Sequence, residues 1–430
     1  MFKTLQNAWK VKELRNRILI TLALLAVYRA GVYITVPGVD TAQIKNMVEN
    51  GLLFGFLDML AGGSFKEFGI FALGISPYIN SSIIFSLLQI AIPRLEAMSK
   101  EGEEGRKKIA AYTRYGTVVF AVINAFAISM YLNNQGMLIT SDWLARPLQI
   151  GLIIITLTAG STFVMWLGEK ITEKGLGNGS SLIIFAGIVA RYPSYVYRIK
   201  LLYDAQEVNI LHLVLLIAFA LVLIAGAVTM NLGERRIPVQ YAQRKVGMRS
   251  YGGQSTHIPI NLNSTGVIAI IFAMSLMSFP STIMNLLSVS TSSKAYKLFN
   301  GGILSDKSWL YPILYIVLIL FFTWFYTSIT FKPDEVAQNL QKNGGFVPGL
   351  RPGKPTEEYI TRTMNRMTLI GGIFASIIAV TPIIIGNYTV FGNNISLGGT
   401  SLLIVIGVVL ELQRQLKSQL VMRHYEGFLK

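Results

Sequence analysis

The sequence predicts an all-α polytopic membrane protein of ten transmembrane helices, and three observations carry that expectation. Apolar residues make up 52% of the 430 positions and the mean hydropathy is +0.51, too apolar for a water-soluble chain of this length. Apolar runs recur near residues 18–36, 71–92, 115–132, 148–167, 180–190, 211–230, 266–288, 310–329, 368–386 and 397–412, most of them long enough to cross roughly 30 Å of hydrocarbon. Lys and Arg then alternate between connections. Over ten spans, 28 of the 38 fall on one side and 9 on the other, with Arg29 inside the first span. That bias places the 28, and both termini, in the cytoplasm, so the net charge of +16 is explained first by topology. The chain has no Cys, which excludes disulfides and thiolate metal sites.

The N-terminal stretch carries Lys3, Lys10, Lys12, Arg15 and Arg17, and no small-residue cleavage site follows the first apolar run. No removed signal peptide is expected. The first span ends at the turn Pro37-Gly38. Arg29 within it costs about 2.5–3.5 kcal/mol on insertion scales if central and reads as a residue that snorkels or pairs structurally. The stretch from 55 to 93 is the most unusual. Gly55 to Ala61 is apolar but far too short to span, and Gly62-Gly63-Ser64 breaks it. Phe71 to Ile92 has no charge, yet it carries Ser76, Pro77, Asn80, Ser81, Ser82, Ser86 and Gln89. A helix facing only lipid cannot satisfy so many polar groups, so this segment is expected to line something wet or mobile.

The charged loop from Glu101 to Lys108 reads as solvated surface. Gly168 to Gly179 alternates Gly with charges, but no strand precedes it, and a tight turn between two spans fits better than a dinucleotide loop. The fifth run is weak because Arg191 closes it after about ten residues, and its helix is expected to continue past that charge.

Five further runs follow. An odd number per half means that halves 1–205 and 206–430, if they are repeats, are inverted in the membrane. Two long basic loops interrupt the second half, at 232–264 and 331–367. In the first, the alternation of Val239 and Tyr241 after Glu234 fits a β-hairpin standing out of the membrane. In the second, Gly353-Lys354 lacks the spacing of a phosphate loop. Both exceed what topology needs. They suit lipid headgroups or a large anionic partner, such as ribosomal RNA or an acidic protein face.

Catalytic signatures are missing. His212, His257 and His424 lie in separate segments, and no metalloprotease, serine-hydrolase or clustered-carboxylate motif occurs. The scarcity of carboxylates within the spans disfavours ion-coupled transport. A secondary transporter of a small solute nevertheless stays open beside a passive channel, because inverted halves serve both.

Several stretches carry a resemblance: Phe71 to Ile79, Tyr112 to Thr117, Gly177-Asn178-Gly179, Glu234 to Lys245, Gln254 to Pro259 and Gly344 to Gly353. Together they resemble the SecY family, channel subunits of the bacterial protein-translocation machinery, over essentially the whole chain. The resemblance implies a clamshell of two inverted five-helix halves around a central pore. Its constriction would be an apolar ring of Ile75, Ile79, Ile184, Ile271 and Ile404. Ser180 stands at the sixth position, where the family pattern has Ile, with Ile188 or Leu403 available to compensate. Residues 55–67 match the family's plug, with Phe56, Leu57, Met59, Leu60, Gly62 and Gly63 as candidates. Spans two and seven match the lateral gate, with Asn80, Ser82, Ser275, Ser278 and Phe279 as candidate contacts. Arg235, Arg236, Arg244, Lys245, Arg249 and Arg351 match the docking surface. The implied partners are the SecE and SecG subunits, the SecA motor ATPase, a translating ribosome, signal sequences with unfolded precursor chains, and membrane lipids. The implied location is the bacterial cytoplasmic (inner) membrane. No cofactor is implied, and no enzyme activity.

Overall fold

Each of the ten apolar runs carries a helix, because a backbone in hydrocarbon must satisfy its own N–H and C=O groups. The computed structural model describes residues 2–50, 58, 61–139, 145–241, 244–246, 249–251, 255–263, 267–286, 308–388 and 399–426. In chain order the helices are α1 (Phe2–Lys10), α2 (Lys12–Val32), α3 (Thr41–Asn50), α4 (Ser76–Ala91), α5 (Pro93–Lys100), α6 (Glu103–Asn134), α7 (Arg146–Lys174), α8 (Gly179–Val189), α9 (Tyr192–Asp204), α10 (Ile210–Leu232), α11 (Ile268–Leu286), α12 (Leu310–Thr330), α13 (Pro333–Lys342), α14 (Lys354–Tyr388) and α15 (Gly399–Glu426). The ten runs correspond to α2, α4, α6, α7, α8, α10, α11, α12, α14 and α15. Among the described residues, five helices are long and apolar enough to cross a membrane unaided: α6, α7, α10, α12 continued into α13, and α14. The pair α4–α5, bent by 100° at Ile92-Pro93, makes a sixth if it is one span.

Two expectations from the sequence change. Residues 71–75 form turns, and α4 starts only at Ser76, with Pro77 in its first turn where a missing N–H costs nothing. Ile75 is therefore the residue that precedes the helix rather than part of it. The second change is at Arg191. The helix does not run past it; α8 ends at Val189, and α9 begins at Tyr192. Pro193 explains the break, because it has no N–H to bond back into α8 and its fixed φ favours a new first turn.

The non-helical stretch 61–75 lies among the spans, so its backbone needs partners there. Ile70 N–H donates to the Ile34 carbonyl at 2.8 Å, and Val36 N–H to Phe68 at 2.9 Å. Small residues on α7 make the room. Ser161 hydroxyl donates to the Gly74 carbonyl at 3.1 Å, and a β-carbon on Gly160 would fall 1.9 Å from the Ile70 carbonyl oxygen.

Within the first half, α4 packs on α6, α6 on α7, and α7 on both α2 and α8. In the second, α14 packs against α10, α12 and α15, and α12 against α11. The halves meet along two seams. On one, α11 lies against α6 and α4; on the other, α15 lies against α8. On the basic side, strands β1 (Glu234–Tyr241), β2 (Arg244–Val246), β3 (Arg249–Tyr251), β4 (Ser255–Asn261) and β5 (Gly345–Phe346) form two small sheets. The expected hairpin is present: β1 pairs antiparallel with β4, from Glu234 opposite Asn261 to Gln240 opposite Ser255, and β2–β3 form a second, separate sheet. The sequence does not show that β5, from the other loop, joins β1 at Gln240 and Tyr241. Ile237, Val239, Ile260, Leu340, Val347 and Ile360 close over this junction, so the two loops share one core.

Candidate functional site

The candidate site is built where the two seams converge. Ile75 from the turn before α4, Ile79 from α4, Ile184 from α8, Ile271 from α11 and Ile404 from α15 belong to one buried cluster, and none is more than 7% exposed. They come from four separate helical segments and both halves. Ile79 N–H donates to the Ile75 carbonyl at 3.1 Å, which keeps the pair on one face although Ile75 lies outside the helix. Ile188 and Leu403 are buried in the same cluster.

Ser180 differs from these isoleucines in its surroundings. It is half-buried in the first turn of α8, where the Asn178 side chain accepts from the N–H groups of Ser180 at 3.0 Å and Ser181 at 3.3 Å. Its side chain lies beside that of Tyr78. Both line a polar cavity of about 260 Å³ with Arg114, Glu169, Thr172, Glu173 and Asn178. Arg114 Nε donates to Glu169 at 2.7 Å at its edge, and the Lys170 ammonium beside Glu173 holds that carboxyl below the usual range. A serine fits there because its surroundings are already polar.

On the other side of the isoleucines lies the broken segment before α4. Gly62 and Gly63 adopt positive φ, +66° and +91°, as a tight turn requires. Gly62 meets α8 and α2 directly: an added β-carbon would lie 3.1 Å from Gly187 Cα and 2.5 Å from the Tyr28 hydroxyl. Gly187 is three residues past Ile184, so the turn sits about one helical turn beyond the isoleucines. Asp58, wholly buried, pairs with Arg191, and Arg29 donates to the Gly62 carbonyl. Sequence reasoning expected Arg29 to snorkel or pair structurally and marked Arg191 only as the end of a weak run; it named a partner for neither. Phe56, Leu57, Met59 and Leu60 lie outside the described residues.

At the first seam, Asn80 and Ser82 on α4 are half-buried and Ser275 on α11 is buried. The Ser278 and Phe279 side chains lie outside the described residues. On the basic platform Arg235, Arg236 and Arg351 are exposed, with Arg236 paired to Glu234 at 2.6 Å. Arg244, Lys245 and Arg249 lie on β2 and β3, and their side chains are likewise outside the described residues.

This architecture and the sequence agree with one family. The SecY family model matches residues 69–413. A protein translocase subunit SecY of Thermotoga maritima is 42% identical over 442 residues, covering 100% of this chain and 98% of that protein. The chain belongs to the SecY family. The SecY fold is equally plain in solved structures. A SecY channel, described with a plug domain that stabilises its closed state, superposes with a TM-score of 0.66 at 19% identity, over 94% of this chain and 92% of that one. Sec61 of the canine ribosome-channel complex superposes with a TM-score of 0.61 at 16% identity, over 94% and 92%. As a SecY protein it is a multi-pass, protein-conducting channel, and family membership decides against the small-solute transporter.

Proposed function

We propose that the chain passes unfolded precursor polypeptides through a neck formed by Ile75, Ile79, Ile184, Ile271 and Ile404, with Ser180 at its basic-side rim. The observation that carries the reading is the convergence of those five isoleucines, from both halves, on one buried cluster. Apolar walls exclude water and ions when they meet, and they offer no fixed hydrogen bonds that would hold one peptide sequence over another. Nothing in the conduction step requires bond chemistry, and the chain acts as a channel rather than as an enzyme.

Residues 55–67 serve as the plug, and the division into halves falls at 205/206. The α4–α11 seam, with Asn80, Ser82, Ser275, Ser278 and Phe279, serves as the lateral gate for signal sequences and membrane segments. A seam with polar groups is a weaker contact than an apolar one, and a signal helix competes with it by population shift. The orientation follows the charge bias, with both termini and the basic platform on the cytoplasmic face of the bacterial inner membrane. There Arg235, Arg236, Arg244, Lys245, Arg249 and Arg351 receive the SecA motor or a translating ribosome, the latter supported by the ribosome-bound Sec61 neighbour. SecE and SecG complete the channel.

The test is reconstitution of the channel with SecE, SecG, SecA and ATP in vesicles. The expected outcome is protease-protected precursor, and a marked loss of protection with Arg351→Glu at unchanged channel content. Absence of protected precursor overturns the conduction reading; full transport by Arg351→Glu overturns the docking role.

A further inference from the structure

We infer that the plug is held by a polar latch, in which Arg191 grips the Asp58 carboxylate and Arg29 the Gly62 carbonyl, so that releasing the plug is a step separate from parting the two halves. The inference rests on the reading of residues 55–67 as a plug and adds what retains it. Asp58 is wholly buried, with one carboxylate oxygen hydrogen-bonded and the other in an ion pair. One accepts the Lys66 N–H at 2.7 Å; the other pairs with Arg191 at the break between α8 and α9. The Asp58 carbonyl accepts the Gly63 N–H at 2.8 Å, so this one residue fastens the turn to itself as well as to the fifth span. Arg29, from the first span, reaches the same turn at Gly62. An outer pair, Lys45 with Glu67 at 2.9 Å, is half-exposed and adds little.

Every one of these anchors is in the first half. The apolar side of the same segment agrees: Ala61, Phe65 and Phe68 are buried in a cluster drawn only from residues 36–157. The isoleucines of the neck, by contrast, pack in a cluster shared by both halves. Opening either seam therefore breaks the neck while leaving these anchors in place. What must break is a buried ion pair, whose partners are costly to leave unpaired until water reaches them. Such a contact resists partial loosening and gives way once water or an entering chain solvates both charges. It keeps the ion seal through small motions of the halves.

The test is the resting ion conductance of the intact channel complex in planar bilayers. Asp58→Asn and Arg191→Gln are each expected to raise it by about tenfold or more, a tenfold shift in plug population corresponding to ~1.4 kcal/mol. Arg191→Lys, which keeps the charge, should leak less than Arg191→Gln, and Asp58→Arg combined with Arg191→Asp should return conductance toward wild type. Deletion of residues 55–67 is the reference for a missing plug. If the deletion leaks while both single variants stay sealed, the latch is wrong and the plug reading stands. If the deletion also stays sealed, both are wrong. Single-variant leaks that the reversed pair fails to lower overturn the latch as well, since they then reflect general damage rather than the pair.

Discussion

Single residues in this protein are chosen as much for what they leave out as for what they add. A β-carbon on Gly179 would lie 1.9 Å from the Gly168 carbonyl oxygen, backbone that cannot step aside. Gly179→Ala is therefore expected to destabilise the fold by about 1–3 kcal/mol, as overpacking does. Gly151 on α7 provides the contrast. Nothing lies within 4 Å of its β-carbon position, so Gly151→Ala should stabilise by about 0.5–1 kcal/mol through chain entropy. Thermal unfolding in detergent checks both, and equal melting temperatures for the two variants would contradict the packing argument. The sequence showed a Gly-rich turn at 168–179 but not which glycine touches backbone, because that depends on how closely α7 and α8 approach. Asp58 and Arg191 were illegible for a similar reason: they are far apart in the chain, and neither belongs to a motif.

At the scale of elements, the spans were legible because hydrocarbon demands long uninterrupted apolar runs, and each such run carries a helix. Their ends were less so. Pro193 divides the fifth run from α9, and α4 starts five residues into the apolar run it belongs to, since Gly74 with φ of +54° keeps the preceding chain out of a helix. The basic platform was half legible. Strand alternation revealed β1, but β5 is two residues long and forms only because β1 offers Gln240 and Tyr241 as partners. Since one core serves both loops, damage to one should disorder both. Val239 is wholly buried there, and Val239→Asp places an unpaired charge in apolar surroundings at a cost of several kcal/mol. Limited proteolysis should then cut near 232–264 and near 331–367 together. Cleavage confined to the first loop would contradict the shared core.

For the whole molecule, two seams and one neck divide the work. Under the proposed function, the seams let the halves part, the neck seals by apolar contact, and the plug is fastened to one half only. The position of the neck was not readable from periodicity. It came from resemblance to the SecY family, and the structure adds that its five isoleucines come together in one cluster. The most direct measurement of conduction through that cluster exploits the absence of Cys. Single cysteines at Ile75, Ile271 and Ile404 are compared with one at Ile155, a position 71% exposed on α7, while a secretory precursor is stalled in transit. Crosslinks from the first three and none from Ile155 are predicted; precursor crosslinked at Ile155 but not at the isoleucine cluster would contradict the account.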